Sequence, residues 1–198
     1  MFFWPSRTSL ARVLSRLRRS DAAQIIEFAV SLPLLMVFVV AIGDFGSAIT
    51  LKHKLNDAVR EGARLGANEP TADLYSTVAA TAAPPSVDAI ARLVGNYLLA
   101  AKVNDCGLAV GPLVSTSIPP LAWQYRGSSC EVTLTIDRGL PVPAGSSGNI
   151  PKWMISTQVM ISYPYTWQFN RVIGLIAPGA NYAGPSHLKS DATVPNLM

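Results

Sequence analysis

A chain of 198 residues that is 49% hydrophobic and only 14% charged has room for one folded body of ordinary domain size beside a substantial apolar segment. Its formal charge of +4 belongs to one end, because the first 20 residues carry Arg7, Arg12, Arg16, Arg18 and Arg19 with no acid, leaving 11 of the basic residues against all 12 acidic ones in the rest. A nucleic-acid binder would cluster its cations on the folded part, so nucleic acid is set aside as a partner. An anionic membrane surface and the positive-inside rule account for the arginines better.

In chain order, Met1 to Ser20 is a basic leader on the cytoplasmic side. Two readings fit it equally. Leu10, Val13, Leu14 and Leu17 share one helical face and make a short interfacial helix, or the segment is disordered.

The next stretch dominates the chain. Phe28 to Gly43 is sixteen residues without a charge, and from Gln24 to Leu51 the only ionisable side chains are Glu27 and Asp44. About 20 apolar residues cross ~30 Å of hydrocarbon, so this segment is long enough to span. Glu27 stands at its edge, where an ionisable group costs a few kcal/mol unless solvated or paired. It either marks the headgroup level or awaits a partner. Pro33 removes one backbone donor and frees the carbonyl of Ala29, so a bend is expected there.

These residues, IIEFAVSLPLLMVFVVAIGDFG with Glu27, Phe28, Pro33 and the Gly-Asp-Phe-Gly at 43–46, followed by LNDAVREGARLGA with its REGAR box at 60–64, resemble the TadE-like proteins of tight-adherence pilus systems, relatives of type IV pilins. The resemblance is close over about 45 residues and loose over the rest. It implies a precursor whose basic leader is cut by a membrane aspartic peptidase so that the glutamate becomes fifth in the mature chain. Here the cut falls between Ala22 and Ala23, and Ala22 stands where the family pattern prefers Gly. It further implies a single-pass protein of the bacterial inner membrane with a cytoplasmic amino terminus. Its other partners are then further pilin or pseudopilin subunits, the prepilin peptidase and the inner-membrane assembly platform. Glu27, Phe28 and Pro33 become assembly residues. If Ala23 is a new amino terminus, its ammonium and the Glu27 carboxylate of a neighbour neutralise each other where an unpaired charge is costly.

Beyond the span, Leu51, Leu55, Ala58, Val59, Ala63 and Leu65 alternate with charged residues at helical spacing, so an amphipathic helix continues outward with a stripe that must dock. Gly62 and Gly66, with Ala63 and Ala67, keep that face flat enough for close approach. Arg60, Glu61 and Arg64 read as solvated pairs on the other face rather than as a ligand cluster. Asn68 to Thr71 end the helix. A second helix from Val87 to about Val103, capped by Ser86, presents Ile90, Leu93, Val94, Tyr97, Leu98 and Ala101 to a core.

The period then changes. Glu131 to Asp137 and Ile155 to Tyr163 alternate as strands. Leu108, Val110 and Val114 suggest an edge strand interrupted by Gly111 and Pro112, Leu188 to Val194 a fourth strand, and residues 141–149 (PVPAGSSGN) a hairpin connection. Cys106 and Cys130 each head a strand in phase with its apolar residues. In an oxidising compartment they are expected to pair, closing a loop whose cross-link stabilises by roughly 3 to 4 kcal/mol.

The chain carries no hydrolase, zinc-peptidase, phosphate-loop or dinucleotide motif, and its two histidines have no zinc-type spacing to the cysteines. No catalytic site, metal or cofactor is therefore expected. Trp123, Tyr125, Trp153, Tyr163, Tyr165, Trp167 and Phe169 are favoured as core fillers over an adhesive surface, with Tyr163, Tyr165, Trp167 and Phe169 on one side of an extended strand.

The expected fold is α+β and pilin-like: a long amino-terminal helix whose outer half packs on a small antiparallel sheet, with one accessory helix. The expected parts are a leader at 1–22, a transmembrane plus amphipathic helix at 23–67 and a periplasmic or extracellular domain at 68–198. A minor pilin or pseudopilin, a membrane-tethered adhesion protein that never polymerises, and a secreted protein cut after Ala48 are the three functions to separate.

Overall fold

The computed structural model of the protein describes residues 21–75, 83–110, 115–118, 120–147, 150–176, 179 and 184–197. The leader reading for Met1 to Ser20 lies outside these residues. Helix α1 is Asp21–Asn68, a 48-residue helix that continues through Pro33. A 3-10 turn at Ala72–Tyr75 follows, then helix α2 at Pro85–Ala100, strands β1 (Ser115–Ile118), β2 (Ala122–Arg126), β3 (Thr133–Ser147) and β4 (Ile150–Pro164), helix α3 (Phe169–Ile176) and strand β5 (His187–Pro195). The long apolar helix, antiparallel sheet and further helices make the α+β, pilin-like arrangement expected from the sequence.

The chain forms two compact units, one of residues 1–45 with 167–183 and one of residues 46–166 with 184–198. In the second unit the five strands form an antiparallel sheet in sequence order, β1-β2-β3-β4-β5. The core of that unit joins three sources. Leu55, Ala58, Val59 and Ala63 come from α1, Val87, Ile90, Val94 and Leu98 from α2, and Trp123, Tyr125, Leu134, Ile136, Val159 and Ile161 from the sheet, all buried. Each large aliphatic or aromatic side chain removed from water in this way contributes about 1.5–3 kcal/mol. The amphipathic stripe read from the sequence therefore does dock. The reason for its glycines is steric: a Cβ on Gly66 would lie 2.6 Å from Thr157 Cγ2 and 2.9 Å from Ile90 Cδ1, and one on Gly62 would lie 2.7 Å from Val94 Cγ2.

Several local expectations are corrected. No strand runs through Leu108 and Val110; residues 106–110 form turns and bends, and 111–114 lie outside the described residues. Cys106 therefore heads no strand but sits in a turn at φ 56°. The edge strand is β1 instead, paired to β2, a strand not anticipated. The signal for β2 was present in the alternation of Trp123 and Tyr125 with Gln124 and Arg126 between Pro120 and Gly127. Most of residues 141–149 is strand rather than loop, since β3 reaches Ser147 and pairs with β4 across Pro141↔Ile155 and Pro143↔Trp153. Prolines are tolerated there because β2 pairs with β3 only as far as Asp137, so the outer part of β3 has an edge where a missing N–H costs nothing. Ser86 does not cap α2. The N-cap is Pro84 with no side-chain hydrogen bond, and Ser86 Oγ accepts instead from Arg138 Nη1 at 2.8 Å.

Arg138 is the largest fully buried side chain among the described residues, at 1% relative exposure. Its Nη1 also donates to Pro70 O at 3.2 Å, and its Nη2 donates to Gly66 O at 2.7 Å and Glu69 O at 2.8 Å. A helix end leaves carbonyls without intrahelical partners, and this guanidinium satisfies that of Gly66 together with the carbonyls of Glu69 and Pro70 just beyond α1, while holding Ser86 at the start of α2; the Ala67 carbonyl accepts the Leu197 N–H at 3.0 Å. Burial pulls its pKa down, opposed by Asp73 and Glu69, and an arginine remains cationic under such conditions.

Candidate functional site

The residues expected to act in assembly lie on the first part of α1. Glu27, Phe28 and Pro33 are all exposed, and so are Ile25, Ile26, Val30, Leu32, Leu34, Leu35, Met36, Phe38, Val39 and Ile42. A helix apolar on every side, with only Val37, Val40 and Ala41 half-buried in this run, is built for a non-aqueous surrounding. The stretch beginning at Gln24 is long and apolar enough to cross a membrane. Ala22 and Ala23 belong to the backbone of the same helix.

Asp44 ends the uncharged run, and unlike Glu27 it is buried, at 6% relative exposure. Its Oδ2 accepts the backbone N–H of Phe169, the first residue of α3, at 2.9 Å. A carboxylate at a helix start meets unpaired N–H groups and the positive end of the helix dipole. Beside it the rings of Phe45 and Trp167 stand 5.2 Å apart at 58°, a tilted geometry aromatic pairs favour. Sequence reading did not foresee this cluster. It places Trp167 and Phe169 outside any strand, because β4 stops at Pro164 and the chain turns into α3. Tyr163, Tyr165, Trp167 and Phe169 therefore do not share one strand face. Trp123, Tyr125 and Trp167 are buried, as favoured, whereas Trp153 is 61% exposed.

Cys106 and Cys130 are joined in a disulfide, with Cα atoms 5.3 Å apart and a sequence separation of 24. Around it, Cys106 O accepts the Ser128 N–H at 2.8 Å, and Asn104 Oδ1 accepts the Cys106 N–H at 3.0 Å. The turn chemistry rather than a strand thus presents the bond. Tyr125 Oη donates to Asp88 Oδ1 at 2.7 Å, and burial first, then this hydrogen bond, pushes the Tyr125 hydroxyl well above its ordinary titration range.

An open recess on the same unit is lined by Asp57, Arg60, Glu61, Arg64, Tyr97 and Thr193. Arg64 and Glu61 form an exposed i,i+3 pair at 3.5 Å, a kind worth little in water. The mixed signs favour no single ligand. Among the described residues no three His, Cys, Asp or Glu side chains are grouped to hold a metal ion.

A first helix long and apolar enough to cross a membrane, followed by an antiparallel sheet and further helices, puts the protein in the pilin-like α+β class. The family model described as TadE-like protein matches residues 22–64, which is the stretch bearing both the exposed run and the docked stripe. The match supports a TadE-like pilus-assembly protein and, with it, involvement in a Tad pilus system. Comparison with curated proteins and with solved structures finds no match.

Proposed function

We propose that the protein is a minor pilin or pseudopilin of a tight-adherence pilus, with a structural rather than catalytic role, contributing to assembly and adhesion through packing of its amino-terminal helix. The observation that carries this reading is the exposure of Ile25, Ile26, Phe28, Val30, Leu34, Leu35, Phe38 and Ile42 around the helix, within the stretch that the family model covers. Before assembly those side chains face lipid; in a fibre they face the same stretch of neighbouring subunits. Residues 1–22 are the cytoplasmic leader, removed between Ala22 and Ala23 by the prepilin peptidase. Residues 23–67 are the anchor and assembly helix in the inner membrane, and 68–198 form the periplasmic or extracellular body. Glu27 pairs with the Ala23 ammonium of a neighbour, a contact that selects subunit registry because either charge alone is costly in lipid.

The amino terminus of the protein from native cells, read by mass spectrometry, tests the reading. A start at Ala23, together with loss of Glu27→Ala from purified pili while it stays membrane-inserted, is expected. Equal incorporation of Glu27→Ala would remove the assembly role. A second reading, a tethered adhesion protein that is not polymerised, draws on the exposed Trp153 and Ile155 of β4; it requires an intact leader on the mature protein.

A further inference from the structure

We propose that α3 is a second membrane-contacting element: an interfacial helix seated at the headgroup level of the bilayer that α1 crosses. This rests on the reading of α1 as a span and adds a surface to it.

Depth comes first. Gln24 to Gly43 is 20 residues, which as an α-helix covers about 30 Å, the thickness of the hydrocarbon layer. Asp44, the next residue, therefore stands at the outer edge. The Phe169 amide reaches its carboxylate at 2.9 Å, so the start of α3 is fixed at that depth. The contact also solves a problem for Asp44, since a carboxylate beside hydrocarbon is costly without donors. Phe45 and Trp167, with ring centroids 5.2 Å apart, lie at the same level, where aromatic side chains concentrate in membrane proteins.

The pattern of α3 comes second. At helical spacing, Phe169, Val172 and Ile173 of α3 fall within an arc of about 100°, and Asn170, Arg171 and Gly174 occupy the other side. Phe169, Val172 and Ile173 are only half-buried and Arg171 is exposed. A short helix with a wide apolar face and a cation on the polar one lies in an interface plane, its apolar side toward acyl chains and its cation among lipid phosphates. The occupant of this face is thus a lipid surface. Continuity with the span and the sign of Arg171 both favour it over a protein neighbour.

The test uses the full-length chain in vesicles of phosphatidylcholine and phosphatidylglycerol. Both native cysteines are held in the disulfide, so single cysteines labelled with an environment-sensitive fluorophore are introduced by Val39→Cys, Val172→Cys, Ile173→Cys and Gly174→Cys. Nitroxide-bearing lipids then report depth. The label at Ile173→Cys, and in a second reporter at Val172→Cys, is expected to emit blue-shifted light and to be quenched by shallow nitroxides about threefold more than the label at Gly174→Cys. The label at Val39→Cys is expected to respond to deep nitroxides. Deep quenching at 39 with water-like, unquenched emission at 172 and 173 would overturn the interfacial helix while leaving the span intact. Blue-shifted emission at 172 and 173 that ignores every lipid quencher would overturn it in favour of a protein neighbour. Loss of quenching at 39 as well would remove the span and this inference together.

Discussion

The two halves of α1 obey the same backbone rules and meet opposite surroundings. From Gln24 to Gly43 apolar residues cover the whole circumference and all but the half-buried Val37, Val40 and Ala41 are exposed; from Leu51 to Ala67 they keep to one stripe, and Leu55, Ala58, Val59 and Ala63 are fully buried. Glycine marks the contrast. A Cβ on Gly43 or Gly46 would meet nothing within 4 Å, whereas on Gly66 it would run into Thr157 and Ile90. The same residue type is thus dispensable to packing within the protein in one half and enforced by it in the other. A helix can be continuous while its reasons for being helical change along its length.

The largest effect that would break this comparison is at the end of the packed half. Arg138→Ala removes the donors to Gly66, Glu69 and Pro70 and leaves a void, and is expected to cost about 3–5 kcal/mol in chemical denaturation of the detergent-solubilised protein. A loss under about 1 kcal/mol would mean that the α1 terminus does not depend on this clamp. Next, Gly66→Val forces a side chain into Thr157 and Ile90 and is expected to cost about 2–3 kcal/mol. Gly43→Ala, in the open half, is expected to change stability by no more than about 1 kcal/mol, in the favourable direction, through helix propensity. Equal responses at the two glycines would erase the distinction between the halves.

A smaller effect reads the core by pH. The folded-state pKa of Tyr125 lies above its ordinary value of 10.0, through burial and then the Asp88 hydrogen bond. The sign follows from linkage: the folded state holds this proton more tightly, so its contribution is complete below about pH 10 and is lost as pH rises above it. The unfolding midpoint is expected to decline above that pH, and Tyr125→Phe to blunt the decline while costing about 1 kcal/mol at neutral pH for the lost hydrogen bond. Burial raises Tyr163 in the same direction, with Asp105 adding to it, so a residual slope in the variant is expected. The smallest effect belongs to Glu27→Ala, which at an exposed site should leave stability within about 0.5 kcal/mol even where assembly fails.

Much of the fold was legible because it follows local periodicities. The apolar run, the stripe from Leu51 to Leu65, the core face of α2 and the strands around Leu134, Val159 and Ala192 each follow a helical or two-residue period that needs no knowledge of neighbours. Where the reading failed, a distant partner had overruled the local signal. Ser86 looked like a cap, and Arg138, 52 residues away, claimed its hydroxyl. Pro141 and Pro143 looked like a loop, yet an unpaired strand edge admitted them. Cys106 looked in phase with a strand, and the turn that brings it to Cys130 set its backbone instead.

The membrane-length helix, its small-residue packing face, the REGAR box and the expectation of a disulfide were determined by sequence alone, because composition and spacing along one element carry them. The buried Arg138 clamp and the pairing of Asp44 with the start of α3 were decided only by tertiary structure. Each joins residues more than 50 positions apart, and no periodicity within a segment records which distant donor will satisfy a buried acceptor.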